Sequence, residues 1–420
     1  MKPNERILMS ASILLAALML TGAATVPAQT LPPASPTAAF AHVTALSQQI
    51  GTRLAGTQGD TRGAEYVADQ LRNLGYTVQL QAFPFRYFEE LQPPSVTVVA
   101  PSAEKLNPMT MEYSASTPAG SLEAEVVAVG LGRPEDLNGK RLEGKIALVQ
   151  RGEIRFTDKV ANAAAAGAIA VIIYNHQPGA PQIGTLIDLS RVPAVIIPLD
   201  EGQALLRQLG GGPVRVRMLI RTATGQRTSH NVIGIKRGTR SPNEIVVVGG
   251  HRDTVHVSPG ANDNASGTAA VLEAARLLAS TPTARTIHFI GFGAEELGLI
   301  GSRFYAQNPP GRIVGMVNMD MVGRGPMQVG NSNEDNTLVE IGERVAQRLG
   351  IRVSRFKLRG AASDHASFEA IGVPTLFIHT GDDPAIHTPN DTADRVDPAL
   401  IAQAASIAAA AALQVAGAGR

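Results

Sequence analysis

The 420-residue chain carries 37 basic and 36 acidic side chains, a formal net charge of +1, with 44% hydrophobic residues, 4% aromatic residues and no cysteine. Its basic residues are scattered, mostly Arg, so nothing marks a nucleic-acid or anionic-membrane surface, and disulfides, thiolate metal ligands and a cysteine-borne lipid anchor are excluded. The length suits two domains, or one large domain carrying an insertion.

The chain opens with a basic stretch containing Lys2 and Arg6, followed by an apolar run from Ile7 to Leu20 and the small-residue stretch Val26-Pro27-Ala28. This is the pattern of a secretory signal peptide over 1–28, implying export to the periplasm or beyond and no stable membrane insertion after its removal. A Pro-rich linker, "PAQTLPPASPT", leads into 29–119, the N-terminal part of the main domain. There Ala64, Val67, Ala68, Leu71 and Leu74 recur at helical spacing, with Asp60 as candidate N-cap and Gly75 as the stop. Tyr76 to Phe83 alternates as a strand.

Between 120 and 222 the texture is β-rich: "EAEVVAVG", "GKIALVQRG", "AIAVIIYN", "PAVIIPL" and "VRVRMLI" read as short strands, and "DKVANAAAAGA" as a small helix between two of them. The segment "IALVQRGEIRFTDKVANAAAAGAIAVIIYN" resembles the protease-associated domain, with Ile154 where that pattern often has cysteine. The resemblance implies an inserted module.

In 223–420 strands and helices alternate: "EIVVVGG" before "SGTAAVLEAARLLAS", "TIHFIGF" before "LIGSRFYAQN", "IVGMVNMD" before "LVEIGERVAQRL", then "PTLFIH". Continuous apolar strands between amphipathic helices predict a three-layer αβα domain on a mostly parallel mixed sheet. No run beyond the signal is expected to span a membrane; the Ala-rich tail "LIAQAASIAAAAALQVAGA" reads as a helix packed on the core.

Ligand sites in such sheets lie beyond the carboxyl ends of the strands. There stand His251, Asp253 and Asp263, then Glu295 and Glu296, then Asp320, and His387 after the last strand. Histidines and carboxylates without cysteine match a divalent metal with N/O ligands, most often zinc. Three carboxylates (Asp263, Glu296, Asp320) and one hydroxide neutralise two Zn²⁺, whereas a single ion leaves buried negative charge at considerable cost. Two zinc ions per chain are therefore expected, each held by one His and one terminal carboxylate and sharing Asp263. Glu295 is left over, free to take a proton from the attacking water.

The stretches "HRDT…GANDNASG", "GAEELGLIGSRFYA", "VNMDMVG", "SDHASF" and "IHTPNDT" resemble, in order, the motifs of di-zinc aminopeptidases of the bacterial secreted leucyl type. Glutamate carboxypeptidase, glutaminyl cyclase and the transferrin receptor belong to the same group. The resemblance covers about 36–110 and 228–420. It implies His251, Asp263, Glu296, Asp320 and His387 as zinc ligands, Glu295 as base, Asp253 orienting the His251 imidazole, a cis peptide after Asp263, and peptide substrates. One departure is Ile386, where the family often has a Tyr that could serve the oxyanion.

Ser363 to His365 read either as substrate-side or supporting residues or as a plain helix cap. His42, His176, His230, His256, His288 and His379 read as structural or surface residues. Two alternatives stand beside an exported aminopeptidase. A glutamate-carboxypeptidase-like enzyme needs an arginine pocket, for which Arg324, Arg355 and Arg359 are the candidates. A receptor-like binding protein without activity should have lost ligands, and none is missing. A glutaminyl cyclase fits less well with the insertion and the two-metal set.

Overall fold

The computed structural model describes residues 31–417 except 119 and 180–183; the expected signal peptide lies outside the described residues. Helix α1 (Pro36–Thr44) begins on Ser35, whose side chain accepts the Ala38 N–H, and runs into a six-residue π-helical turn, Ala45–Ile50. The end of the Pro-rich linker is thus tied down, and the Ser35 N–H also reaches Glu273 at 2.6 Å. Helix α2 (Gln58–Asn73) is capped by Thr57, not Asp60. Asp60 sits inside the first turn and turns its carboxylate into the core, toward Arg252 at 2.5 Å. Gly75 stops the helix as expected, in the left-handed conformation with φ +86°.

Strand β1 (Thr77–Ala100) extends far beyond its alternating start, and the short strands β2 (Glu104–Lys105) and β3 (Met109–Thr110) follow. The inserted module contributes β4 (Leu122–Ala128), α3 (Pro134–Leu137), β5 (Ile146–Gln150), α4 (Phe156–Ala165), β6 (Ala170–Tyr174), β7 (Ala194–Ile197) and α5 (Leu199–Gly211). Its strands β4, β5, β6 and β7 pair in parallel, so this β-rich unit is itself a small α/β sheet. Strand β8 (Arg215–Lys236) then runs back antiparallel along nearly all of β1. The outer half of this ribbon serves the module and the inner half joins the main sheet. The module's core consequently reaches back to Val96, Val98 and Leu106, ahead of the expected start at 120.

The main sheet is completed by β9 (Ser241–His251), β10 (Arg285–Phe292), β11 (Arg312–Met319), β12 (Gln328–Asn331), β13 (Ser354–Lys357) and β14 (Thr375–His379), in the order β13-β12-β14-β11-β9-β10-β8. Four central strands, β14, β11, β9 and β10, are parallel neighbours. Alternate residues of β9 serve opposite faces. Val246 and Val248 join the core with α1, α2, α6 (Gly267–Leu278), α8 (Thr337–Arg348) and α10 (Pro398–Ala416). Ile245 and Val247 join the second core, with Tyr305 of α7 (Ile300–Gln307) and Phe368 of α9 (His365–Glu369). Each fully buried aliphatic is worth roughly 1.5–3 kcal/mol, which holds the strand central in three layers.

Contrary to expectation, α10 is long and apolar enough to cross a membrane by length and composition, at 19 residues and mean hydropathy 1.7. It is instead a core helix. Ile401, Ala404, Ala405, Ala408 and Ala412 lie in the main cluster with Ala270, Ala274 and Ala275 of α6, small side chains on both helices.

Candidate metal centre

The four parallel strands end level with one another: His251 lies opposite Phe292, Asn318 opposite Gly249, and Met319 opposite Ile378. Residues at or just past these ends must therefore meet above the sheet. Close approach matters here, since a Cβ on Gly250 would stand 2.4 Å from the Met319 carbonyl.

The shared carboxylate is Asp263. Its Oδ1 is 3.1 Å from His251 Nε2 and its Oδ2 is 3.1 Å from His387 Nε2. Each imidazole also faces a second carboxylate: Asp320 Oδ1 is 3.3 Å from His251 Nε2, and Glu296 Oε2 is 3.1 Å from His387 Nε2. Within each of the sets His251/Asp263/Asp320 and Asp263/Glu296/His387, one donor atom per residue lies within 4.8 Å of the others. The Asp263–Asn264 peptide is cis. Asp391 accepts the N–H groups of Asn262 (2.7 Å) and Asp263 (2.9 Å).

Asp253 lies beside His251, its Oδ1 3.7 Å from Nδ1, and accepts the N–H groups of Glu295 (3.1 Å) and Glu296 (3.3 Å). It therefore braces the loop that presents both glutamates. Those glutamates precede α7 rather than opening it, and Glu295 Oε2 stands 3.9 Å from His251 Nε2. Ser363 donates to Asp320 Oδ2 at 2.7 Å, so the "SDH" stretch backs the centre; Asp364 is fully buried. Four non-glycine residues with positive φ sit at or beside the site: Ala294, Leu299, Met321 and His387. Backbone conformations of this kind concentrate where function over-determines the chain.

Burial pushes the Glu295 carboxyl well above its usual range and that of Glu296 up to about 7, and burial raises Asp364 to about 7 as well. Contact with Asp263 and Glu296 raises His387 to about 10. Burial opposes ionisation of Asp263 too, but the two imidazoles hold it well below its ordinary value. The carboxylates thus compete for too little positive charge, and Glu296 Oε1 is buried with no hydrogen-bond partner among the described residues. Two imidazoles, a shared carboxylate and an orphaned carboxylate oxygen are donors suited to divalent cations, zinc among them.

The centre floors a cavity of about 550 Å³ whose walls include Leu299, Met321, Leu358, Phe377 and Ile386. Among the described residues its lining contains no tyrosine, no arginine and nothing from the inserted module. Arg324 lies 3.6 Å from Asp383, Arg355 pairs with Glu343 on the surface, and Arg359 is exposed. None of these three arginines lines the cavity, although Arg324 and Arg395 both approach Asp383, which does. His379, expected to be a structural or surface residue, lines the cavity and lies with Nδ1 2.8 Å from the Asp320 carbonyl oxygen. Asp391 is a further member that strand-end reasoning does not reach, although it stands four residues after His387 in the "IHTPNDT" motif. His42 and His288 bond to Tyr66 and Tyr305, each at 2.7 Å, within the packing.

A three-layer α/β fold with histidines and carboxylates gathered at its strand ends defines a candidate metal-dependent enzyme. The chain belongs to peptidase family M28, which it matches over residues 231–412, and it matches the PA domain over 118–205. It is 33% identical to aminopeptidase YwaD of Bacillus subtilis strain 168, over 89% of this chain and 83% of that protein. The aminopeptidase from Aneurinibacillus sp. strain AM-1 is similar in structure, with a TM-score of 0.78, 35% identity, and 92% of this chain and 95% of that one covered. BSAP, a zinc aminopeptidase from Bacillus subtilis, aligns with a TM-score of 0.70 and 31% identity over 92% and 96%. A glutaminyl cyclase from Fimbriiglobus ruber, 15% identical with a TM-score of 0.53, shares the fold.

Proposed function

We propose that the protein is an exported aminopeptidase that uses two zinc ions to remove N-terminal residues from peptides. The observation that carries this reading is Asp263 set between two imidazoles at 3.1 Å on either side, each with its own further carboxylate. His251, Asp320 and Asp263 would hold one ion; His387, Glu296 and Asp263 the other. Bound there, zinc supplies Lewis-acid polarisation of the scissile carbonyl and acidifies the attacking water. Glu295 is the general base: it takes a proton from that water and returns it to the departing amine. Asp253 keeps Glu295 in place through its backbone N–H and steadies the His251 ring. Leu358, Phe377 and Ile386 give the cavity an apolar wall for part of the substrate, with Asp382 and Asp383 on the same lining. Export rests on the basic and apolar opening of the chain. In this reading one peptidase domain surrounds an inserted PA module, and the paired strands β1 and β8 support it as the connection.

Metal analysis of the purified protein, combined with aminoacyl-p-nitroanilides and peptides blocked at either end, tests the reading. About two zinc ions per chain and cleavage that requires a free N-terminus are expected. A single tightly held ion with full activity would overturn the two-metal count, and cleavage from the C-terminus would favour the carboxypeptidase.

A further inference from the structure

Far upstream of the strand that carries His251, the chain places an arginine beneath the loop that carries the site's first ligands. Arg53 is fully buried. Its guanidinium hydrogen bonds go to main-chain carbonyls: Nε donates to Arg252 O at 2.7 Å, Nη1 to Pro259 O at 2.8 Å and Nη2 to Gly260 O at 2.8 Å. Nη1 also reaches Leu46 O and Gly51 O, both at 2.9 Å, which anchors the group to its own segment. The Arg53 backbone N–H donates to Thr254 Oγ1 at 3.0 Å, and Thr52 Oγ1 donates to Ser258 O at 3.2 Å. The loop between His251 and Asp263 is therefore gripped at its start, its middle and its end by two residues. Gly260 shows how tightly it wraps. With φ +61°, a Cβ there would stand 2.3 Å from Thr254 Cγ2 and 3.0 Å from Arg53 Nη2.

We infer that Arg53 is a positioning residue for the metal centre, the template on which the 251–263 loop folds, so that the N-terminal segment is coupled to metal retention. The rigid fork matters, because it presents several donors at fixed angles to carbonyls on both arms of the loop. A lysine ammonium keeps the charge and cannot span them. Supporting partners of metal ligands typically govern affinity by about 10–100-fold. This inference rests on the zinc reading above.

The test uses the full chain with Arg53→Lys and Thr254→Val, the second removing one acceptor at nearly constant volume. Zinc occupancy is measured against a competing chelator, and thermal unfolding is followed for zinc-loaded and zinc-stripped protein. Arg53→Lys should weaken zinc binding by about 10–100-fold and narrow the gap between the two melting temperatures. Thr254→Val should move both in the same direction by less. Equal loss of melting temperature in both forms with unchanged zinc affinity would make Arg53 a core residue only and overturn the inference. Should Arg53→Lys not fold, unchanged affinity in Thr254→Val overturns it alone. Wild-type protein that takes up no zinc would instead sink the metal reading, and this inference with it.

Discussion

The two histidines that face Asp263 sit in opposite surroundings. His251 ends a central strand, 1% exposed, with the Arg53-held loop on one side and Asp320, itself bonded to Ser363, on the other. His387 sits in the loop after β14 on a residue with φ +58°, and half of its side chain is exposed. One half of the centre is built into the sheet and the other is hung at its rim. The difference separates two tasks that a single pocket must perform. The buried half sets the geometry, since rigid strands hold side chains more precisely than loops. The rim half leaves an opening through which a substrate can arrive.

The strongest test of this division bears on the chemistry shared by both halves. Glu295→Gln should lower kcat by roughly 10²–10⁴-fold, the usual contribution of a general base. Zinc content should be unchanged, because the substituted residue stands beside the two ligand sets and in neither. Near-normal turnover in fully loaded protein would remove Glu295 from the mechanism.

The built-in half should also be the one that the fold cannot lose. Arg252 and Asp60 form an ion pair at 2.5 Å with both side chains buried, directly after His251. Taking away one partner of such a pair strands the other charge, so Asp60→Ala should destabilise the protein by about 3–5 kcal/mol. Urea unfolding measures this, and a loss below about 1 kcal/mol, the scale of an exposed pair, would mean that the His251 side is no more deeply embedded than the rim.

The smallest effect belongs to the rim. In zinc-stripped protein His387→Ala takes the imidazole away from Asp263 and Glu296, so it should cost more than an ordinary surface substitution, yet less than the loss of His251, because half of the His387 side chain is exposed. His251→Ala, which leaves Asp263 and Asp320 without an imidazole in the interior, should cost about 1–3 kcal/mol. Paired unfolding curves of the two stripped variants make the comparison, and equal losses would erase the distinction drawn between the halves.

Much of the site is legible in the amino-acid sequence because its residues follow strands whose apolar runs are unmistakable. Glu295, Glu296, Asp320 and His387 read as strand-end groups, and parallel neighbours bring such ends together. Asp60 and His379 escape that reading for one reason: each lies where a local rule offers an ordinary role, a cap in one case and a packed ring in the other. Their actual partners, Arg252 and the Asp320 carbonyl, come from distant parts of the chain.

The ribbon shows the same limit in the backbone. Strand β1 contains Pro84, Pro93 and Pro94, and its register against β8 shifts around Gln92. Proline donates no ladder hydrogen bond and interrupts the alternation by which a strand is recognised. Pairing with β8, on the far side of the inserted module in the chain, holds that stretch extended.

The amino-acid sequence by itself determined which faces are apolar, where the central parallel strands stop and which titratable groups follow them, because periodicity and chain order are local properties. Tertiary structure decided which oxygen of Asp263 meets which imidazole, where the inserted module begins to pack, and that Arg53 lies beneath the ligand loop. These are relations between segments far apart in the chain, settled by the close packing of the interior and by the requirement that buried polar groups find partners.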